Sequence, residues 1–390
     1  MKRMLIYLLT LGVFLTATSE LVVAGILNVI AGEMGISVAL AGQLITAYSL
    51  AFAIGTPILV SLTSRVGRKK MLIASLSVFI LGCLISFGSF NFTLLLVSRI
   101  ILGLSAGVYL VVTFGSVSKL VPVEKIGSAM GTVILGFSSA MVLGVPIGIA
   151  LTHWFNWQII FILLAMISLF ILIGMIYLLP EIEGDAPVSF KQQFLILANP
   201  VILAGLFVTF FREAGGSVMY TYLTPFLATI LRMNTSDIAI AMLVFGVFGA
   251  IGSRIGGYGV DKWGAVRMIL YGLAAQALSL ALLPLLSASF TLGIAVITIW
   301  ILSMFVIAPA IQTYFIQQAP QSSNLVLSLN TSVIHLGLAT GAGLGGAVVT
   351  SMSTVQYNPW VASGTILLSF VVAIVSFAVS KRKLNVNAAL

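Results

Sequence analysis

Apolar residues run through this chain in long blocks separated by short polar stretches. A helix needs about 20 apolar residues to cross a hydrocarbon core of about 30 Å. Windows of that length predict spans near 4–30, 40–62, 71–90, 93–115, 128–152 and 157–179. A second set follows near 199–229, 238–259, 267–287, 289–310, 325–352 and 359–380. The pattern therefore predicts an all-α integral membrane protein of about twelve transmembrane helices.

Composition agrees with that pattern. Only 7% of the 390 residues are charged and 60% are hydrophobic, whereas a soluble domain carries about 25% charged residues. So few charges cannot cover a water-exposed surface of this size, and lipid must be the main solvent. The 37 glycines suit close helix packing in a bilayer. Met1-Lys2-Arg3 before an apolar run has the look of a secretory signal. The run continues past Val23 into further spans, so it reads as an uncleaved first helix. Cys83 is the one cysteine, which excludes an internal disulfide framework and any multi-cysteine metal site; it reads as inert packing. Two histidines, His153 and His335, are too few for a conventional zinc cluster. No metal and no cofactor are expected.

The charges fix an orientation. Lys2 and Arg3 precede the first span; Arg65, Arg68, Lys69 and Lys70 lie between the second and third; Lys119 and Lys125 lie between the fourth and fifth. Lys191 follows the sixth span, Lys262 and Arg267 flank the eighth-to-ninth connection, and Lys381, Arg382 and Lys383 follow the twelfth. The alternate loops hold only Arg232. This asymmetry places both termini in the cytoplasm. It also explains the net charge of +9 through attraction to anionic lipid at the inner leaflet, so no nucleic-acid partner is needed.

An even number of spans with both ends inside suggests two halves, residues 1–180 and 199–390, joined by a cytoplasmic linker at 181–198 that carries Glu181, Glu183, Asp185 and Lys191. An offset of 197 pairs Gly67 with Gly264 and Arg65 with Lys262, and it carries Gly144 and Gly148 onto Gly341 and Gly345. Matches in two regions at one offset point to a parallel duplication.

Four segments resemble the major facilitator superfamily, and within it the twelve-span drug:proton antiporters, most of all the bacterial purine, sugar and arabinose efflux branch. The first is the loop between spans 2 and 3, where Arg65, Gly67, Arg68 and Lys69 match the signature Gly-x-x-x-Asp-Arg-x-Gly-Arg-Lys, with Ser64 at the Asp position and Val60 at the first Gly. A tight glycine turn carrying cations beside helix C-termini is its physical logic. The resemblance implies a latch between the halves, which the missing Asp weakens; Gly257, Asp261, Lys262 and Gly264 keep the spacing in the second half. The second segment is Arg99 with Gly103, similar to Arg-x-x-Gln-Gly but with Leu102 for the Gln. An arginine inside a span costs about 2.5–3.5 kcal/mol on insertion scales and should face protein or a wet cavity, although one so near its helix start is also able to snorkel to a headgroup. The resemblance implies proton coupling or bracing for it. The third is Gly136 and then Gly144-Val145-Pro146-Ile147-Gly148, a partial match to the antiporters' Gly-Pro-rich helix, where Pro146 removes a helical hydrogen bond and permits bending. The fourth is Thr18-Ser19-Glu20-Leu21 with Gly25-Ile26-Leu27-Asn28, followed by Ala41-Gly42-Gln43-Leu44.

Glu20 is the acid most exposed to functional reading. It lies well inside a span, and desolvation favours the neutral form of a carboxyl there, so that it is able to bind and release a proton. Permanent pairing with an arginine is the structural alternative. Arg212-Glu213 forms a second mid-span pair. Sequence neighbours on a helix point about 100° apart, so they are not obligate partners. Tyr220 and Tyr222 offer flat faces with hydroxyl handles for ring-containing substrates, or serve as interfacial anchors. Asn330 and His335 lie in a polar run of the eleventh span and are candidates for a cavity lining, His335 being equally suited to bond a carbonyl.

Together these expectations describe a proton-driven exporter of small molecules such as drugs, purines or sugars. It would sit in a bacterial inner membrane, act by alternating access and function as a monomer. Glu20, Arg99 and Glu213 would carry proton coupling; Arg212, Tyr220, Tyr222, Asn330 and His335 would bind substrate; Arg65, Gly67, Arg68, Gly144, Pro146, Gly148, Asp261 and Lys262 would serve the conformational change. No phosphate-binding Gly-x-x-x-x-Gly-Lys-Ser/Thr loop is present, so ATP is not the expected energy source. No cluster of His, Asp or Glu near a membrane surface points to an enzyme, and no repeated filter-like loop points to a channel. A proton-independent facilitator shares the whole architecture and remains the alternative.

Overall fold

A computed structural model describes residues 2–63, 65–121, 126–184, 197–319 and 323–387. Ser64, Lys125 and most of the expected linker, including Asp185 and Lys191, lie outside the described residues. Twelve helices among them are long and apolar enough to cross a membrane. They are α1 (Met4–Gly25), α2 (Val38–Leu62), α3 (Arg68–Phe87), α4 (Phe92–Val117), α5 (Gly131–Trp154) and α6 (Gln158–Leu178), then α7 (Pro200–Thr229), α8 (Thr235–Trp263), α9 (Ala265–Leu286), α10 (Phe290–Gln318), α11 (Val326–Met352) and α12 (Asn358–Phe377). The expected windows hold to within about four residues, except that the first span stops at Gly25 and the tenth runs on to Gln318, eight residues past its expected end. There the backbone breaks at Ile26 (φ −112°, ψ 19°) before a separate helix, Leu27–Met34, ending in left-handed Gly35.

Polar side chains at the helix starts satisfy orphan backbone donors. Ser37 accepts from the Leu40 N–H at 3.1 Å and Asn91 from Leu94 at 2.8 Å. Asn199 accepts from Val201 at 3.0 Å, just ahead of Pro200 in the first turn, and Asn234 from Asp237 at 2.9 Å.

The chain forms two compact units. One contains α1–α6 with Leu223–Ala228 and Met233–Val244; the other contains the rest of α7 and α8 with α9–α12. Each unit is sewn by glycines on its fifth or eleventh span. In the first, Gly136 faces the Thr10 carbonyl, Gly144 the Thr18 side chain and Gly148 Val22, so that a Cβ at any of them would come within 2.6 Å of α1. In the second, Gly337, Gly341 and Gly345 face Phe210 and Glu213, Ala214, and Tyr222 of α7 in the same way. Backbones approach this closely only where side chains are absent, the usual device of packing in lipid.

Two stretches of π-helix interrupt the first unit, Ala51–Gly55 in α2 and Ala140–Gly144 in α5. Each ends in glycine and is followed two residues on by a proline, Pro57 and Pro146. A proline deprives the carbonyl four residues earlier of its N–H donor, and a widened turn is one way a helix absorbs that loss.

Candidate functional site

In the first unit, α1, α2 and α4 bring a polar group of residues together. Arg99 is completely buried. Its Nη1 donates to the Ser19 carbonyl at 2.9 Å and its Nε to the Leu44 carbonyl at 3.5 Å. Its guanidinium carbon lies 4.5 Å from the centroid of the Tyr48 ring, a cation–π contact. Nη2 has no hydrogen-bond partner. The snorkelling option is thereby overturned: with α1 and α2 supplying carbonyls and a ring face, the arginine turns into the protein although its position is near the helix start. Glu20, next to Ser19 and 7% exposed, is near enough for its charge to act on both Arg99 and Tyr48.

Gly103, one turn along α4 from Arg99, sets this arrangement. A Cβ there would sit 2.3 Å from the Tyr48 carbonyl oxygen, so α2 and α4 touch backbone to backbone and the Tyr48 ring falls over the guanidinium. Beyond Tyr48 the first π stretch begins, carrying buried Phe52. Glu20, Tyr48 and Phe52, with Thr16, Leu110 and Phe137, line a small, partly open pocket with space for little more than a water-sized body. The Tyr48 hydroxyl donates to the Thr16 carbonyl at 3.5 Å. The pocket presents one carboxyl, one phenol and one threonine hydroxyl among apolar and aromatic side chains.

The second unit treats its charges differently. Arg212 and Glu213 form an ion pair between sequence neighbours, with side chains 8% and 13% exposed, and Arg212 Nη1 also donates to the Met304 carbonyl of α10 at 3.2 Å. Tyr222 is fully buried, donates to the Ala342 carbonyl at 3.2 Å and packs its ring over Gly345. That face is covered by protein, so the expected substrate platform at Tyr222 becomes a helix-packing contact. Tyr220 is half-buried. His335 is 4% exposed with Nδ1 3.0 Å from the Thr331 carbonyl, the carbonyl-bonded alternative. Asn330, also 4% exposed, has an Oδ1 with no hydrogen-bond partner; it lies on α11 two turns before Gly337 and so on the same stripe.

The conformational candidates divide as well. Gly144, Pro146 and Gly148 are buried against α1 or within α5. Arg65, Asp261 and Lys262 are exposed. Lys262 Nζ stands 5.7 Å from the Tyr258 ring centroid and 5.4 Å from that of Trp263. Gly264 has φ +84°, which favours glycine, whereas Gly67 has φ −55° and ψ 137°, open to most residues. The tight glycine turn expected in both loops is present only in the second.

Tyr48, Phe52 and Phe137 escape a reading of the sequence, since an aromatic in an apolar helix carries no polar signal. The available hints were Gly103 one turn after Arg99, and the Gly-x-Pro spacing repeated at Gly55-Thr56-Pro57 and Gly144-Val145-Pro146. Among the described residues no group of three or more His, Cys, Asp or Glu is placed to hold a metal.

Comparison with known proteins agrees with this architecture. The family model for the Major Facilitator Superfamily matches residues 9–325. An MFS-type transporter, YbcL, of Bacillus subtilis (strain 168) is 33% identical over 372 residues, 95% of each chain. The inner membrane transport protein YdhP of Escherichia coli (strain K12) is 28% identical over 88% of each. Among solved structures, a D-xylose-proton symporter superposes with a TM-score of 0.78 at 15% identity, covering 95% of this chain and 96% of that one. A bacterial homologue of the human lysosomal transporter Spinster gives 0.74 at 14% identity, covering 97% and 95%. The chain belongs to the major facilitator superfamily; it is a multi-pass membrane transporter rather than an enzyme.

Proposed function

We propose that this chain is a proton-coupled secondary transporter that exports small molecules across a bacterial inner membrane. In this reading it acts as a monomer with both termini in the cytoplasm, and it works by alternating access to the two sides of the membrane. The observation that carries the reading is the placement of Glu20: a buried carboxyl in the wall of a small pocket with aromatic sides, beside a fully buried arginine that has other partners to rest on.

That arrangement suits an acid that changes charge. With Glu20 ionised, its negative charge balances Arg99 inside the unit. When Glu20 takes a proton, Arg99 still has the Ser19 and Leu44 carbonyls and the Tyr48 ring, so a buried guanidinium is not left wholly unsupported. A proton and a donor group on a substrate compete for the same carboxylate, and such competition is enough to exchange one for the other. The membrane potential supplies about 2.3 kcal/mol per charge per 100 mV. The substrate is small, neutral or weakly basic, and ring-bearing or amphipathic, as for a drug, purine or sugar. Glu213, held by Arg212, braces α7 against α10 in this scheme rather than carrying protons.

The test is proton flux in proteoliposomes of the purified protein across a panel of purines, sugars and lipophilic cations. Substrate-dependent flux that disappears in Glu20→Gln supports antiport and names the substrate class. Substrate movement without proton flux, unchanged in Glu20→Gln, makes the chain a facilitator and ends the role given to Glu20.

A further inference from the structure

Three basic residues near the α2–α3 loop, Arg68, Lys69 and Lys119, are engaged inside their own unit, on the chain that leaves α6. The helix of α4 continues to Leu120, and in its last turn Lys119 Nζ donates to two main-chain carbonyls, Glu183 at 2.9 Å and Gly184 at 3.2 Å. The Arg68 N–H, an orphan donor in the first turn of α3, donates to the Ile182 carbonyl at 2.8 Å. The Arg68 guanidinium lies against α4 where Gly115 leaves space, close enough that a Cβ at 115 would collide with it. Lys69 Nζ is 3.9 Å from a Glu181 carboxylate oxygen. Ile182 is buried, while Glu181 and Glu183 point outward. Three consecutive carbonyls, from Ile182 to Gly184, are thus fastened by α3 and α4.

We propose that Arg68 and Lys119 form a clasp that makes Glu181–Gly184 a fixed part of the first unit, moving with α3 and α4. The family resemblance assigns the cations of this loop to a latch between halves, and this chain has Ser64 in place of that signature's Asp. The Arg68 main-chain donor and the Lys119 ammonium are instead occupied within the unit. Because the acceptors are the backbone carbonyls of Ile182, Glu183 and Gly184, these hydrogen bonds do not use the side chain at the signature's Asp position. Lys119 and Arg99 are on one continuous helix, 20 residues apart, which at 1.5 Å per residue is about 30 Å. The clasp therefore ties the exit of α6 to the same rod that carries the buried guanidinium.

A spin label at Glu183→Cys reads this directly, because the carbonyl that accepts from Lys119 is unaffected by the side chain and the natural Cys83 is buried. In the purified full-length protein the label is expected to be immobile. Lys119→Gln should free it and, in the unlabelled protein that keeps Glu183, speed cleavage by a Glu-specific protease at Glu181 and Glu183 by about tenfold, while Lys119→Arg keeps both near the parent. Arg68→Ala and Arg68→Pro separate side chain from main chain, since proline is tolerated in a first helical turn and removes the N–H: Pro should mobilise the label more than Ala. Melting temperature and elution volume near the parent's show that the variants fold. A label already mobile in the parent, or mobility and cleavage unchanged in both Lys119→Gln and Arg68→Pro, overturns the clasp.

Discussion

The two units solve the same problem, an arginine buried among helices in lipid, in opposite ways. In the second unit Arg212 is paired with its own neighbour Glu213 and donates to the Met304 carbonyl, so the charge is closed off locally. In the first, Arg99 rests on two carbonyls and the face of Tyr48, and the nearby acid, Glu20, is in a cavity wall. A charge with several weak partners tolerates a change in its acid; a charge with one strong partner does not. The helix packing shows the same divergence on a shared plan. The second and fourth spans touch through glycines on α4, with Gly103 against the Tyr48 carbonyl and Gly107 against Thr56. The eighth and tenth spans touch through glycines on α8, with Gly252 and Gly256 against the carbonyls of Leu302 and Val306. The same pair of helices meets in each unit, but the glycines that face backbone carbonyls differ: Gly103 on the fourth span in the first unit, Gly252 and Gly256 on the eighth in the second, with Gly55 of α2 facing only the Leu104 side chain. The two π stretches are confined to the first unit among the described residues.

The largest expected effect sharpens the contrast between the acids. Glu213→Gln leaves the buried Arg212 without its ion-pair partner, and breaking such a pair costs about 3–5 kcal/mol. Thermal unfolding in detergent should show that loss, with proton flux per folded molecule retained. Glu20→Gln should do the reverse, leaving the melting temperature close to the parent and abolishing flux. If the two variants lose stability and flux alike, the division of roles between the units fails.

Next come the glycine contacts. Gly341→Ala drives a methyl to 2.1 Å from the Ala214 carbonyl oxygen, whereas Gly144→Ala meets the Thr18 side chain, its hydroxyl at 2.4 Å. Overpacking costs about 1–3 kcal/mol, and the backbone clash at 341 should lie at the upper end. Adding Thr18→Ala should restore the melting temperature lost in Gly144→Ala; no side-chain change on Ala214 can do so at 341.

A smaller effect tests the ring over Arg99. Tyr48→Leu removes a cation–π contact worth about 2 kcal/mol when desolvated, and Tyr48→Phe keeps it. Equal unfolding temperatures for the Leu and Phe variants would remove Tyr48 from the account of Arg99. The smallest concerns Lys69 and Glu181, an outward-facing pair. Glu181→Gln should change stability by less than about 1 kcal/mol, and what change there is should vanish in molar salt.

The sequence by itself determined that this chain crosses a membrane twelve times, because in hydrocarbon every backbone group must be satisfied within a helix and each crossing needs a long apolar block. It pointed to a duplication as well, since Gly144 and Gly148 recur at Gly341 and Gly345, and the two pairs pack on α1 and α7 respectively. It marked Glu20 and Arg99, because a charge among apolar residues stands out against its surroundings. Only the tertiary structure decided what those charges meet. Tyr48 lies 51 positions before Arg99 and becomes its partner through the close approach at Gly103. Arg212 and Glu213, not obligate partners as helix neighbours, pair because rotamers reach where backbone directions diverge. The acceptors of Arg99, Arg212 and Lys119 are main-chain carbonyls, which every residue carries and no residue type announces. Cations in lipid are read from sequence by their own identity; their partners depend on which backbones the glycines allow to come near.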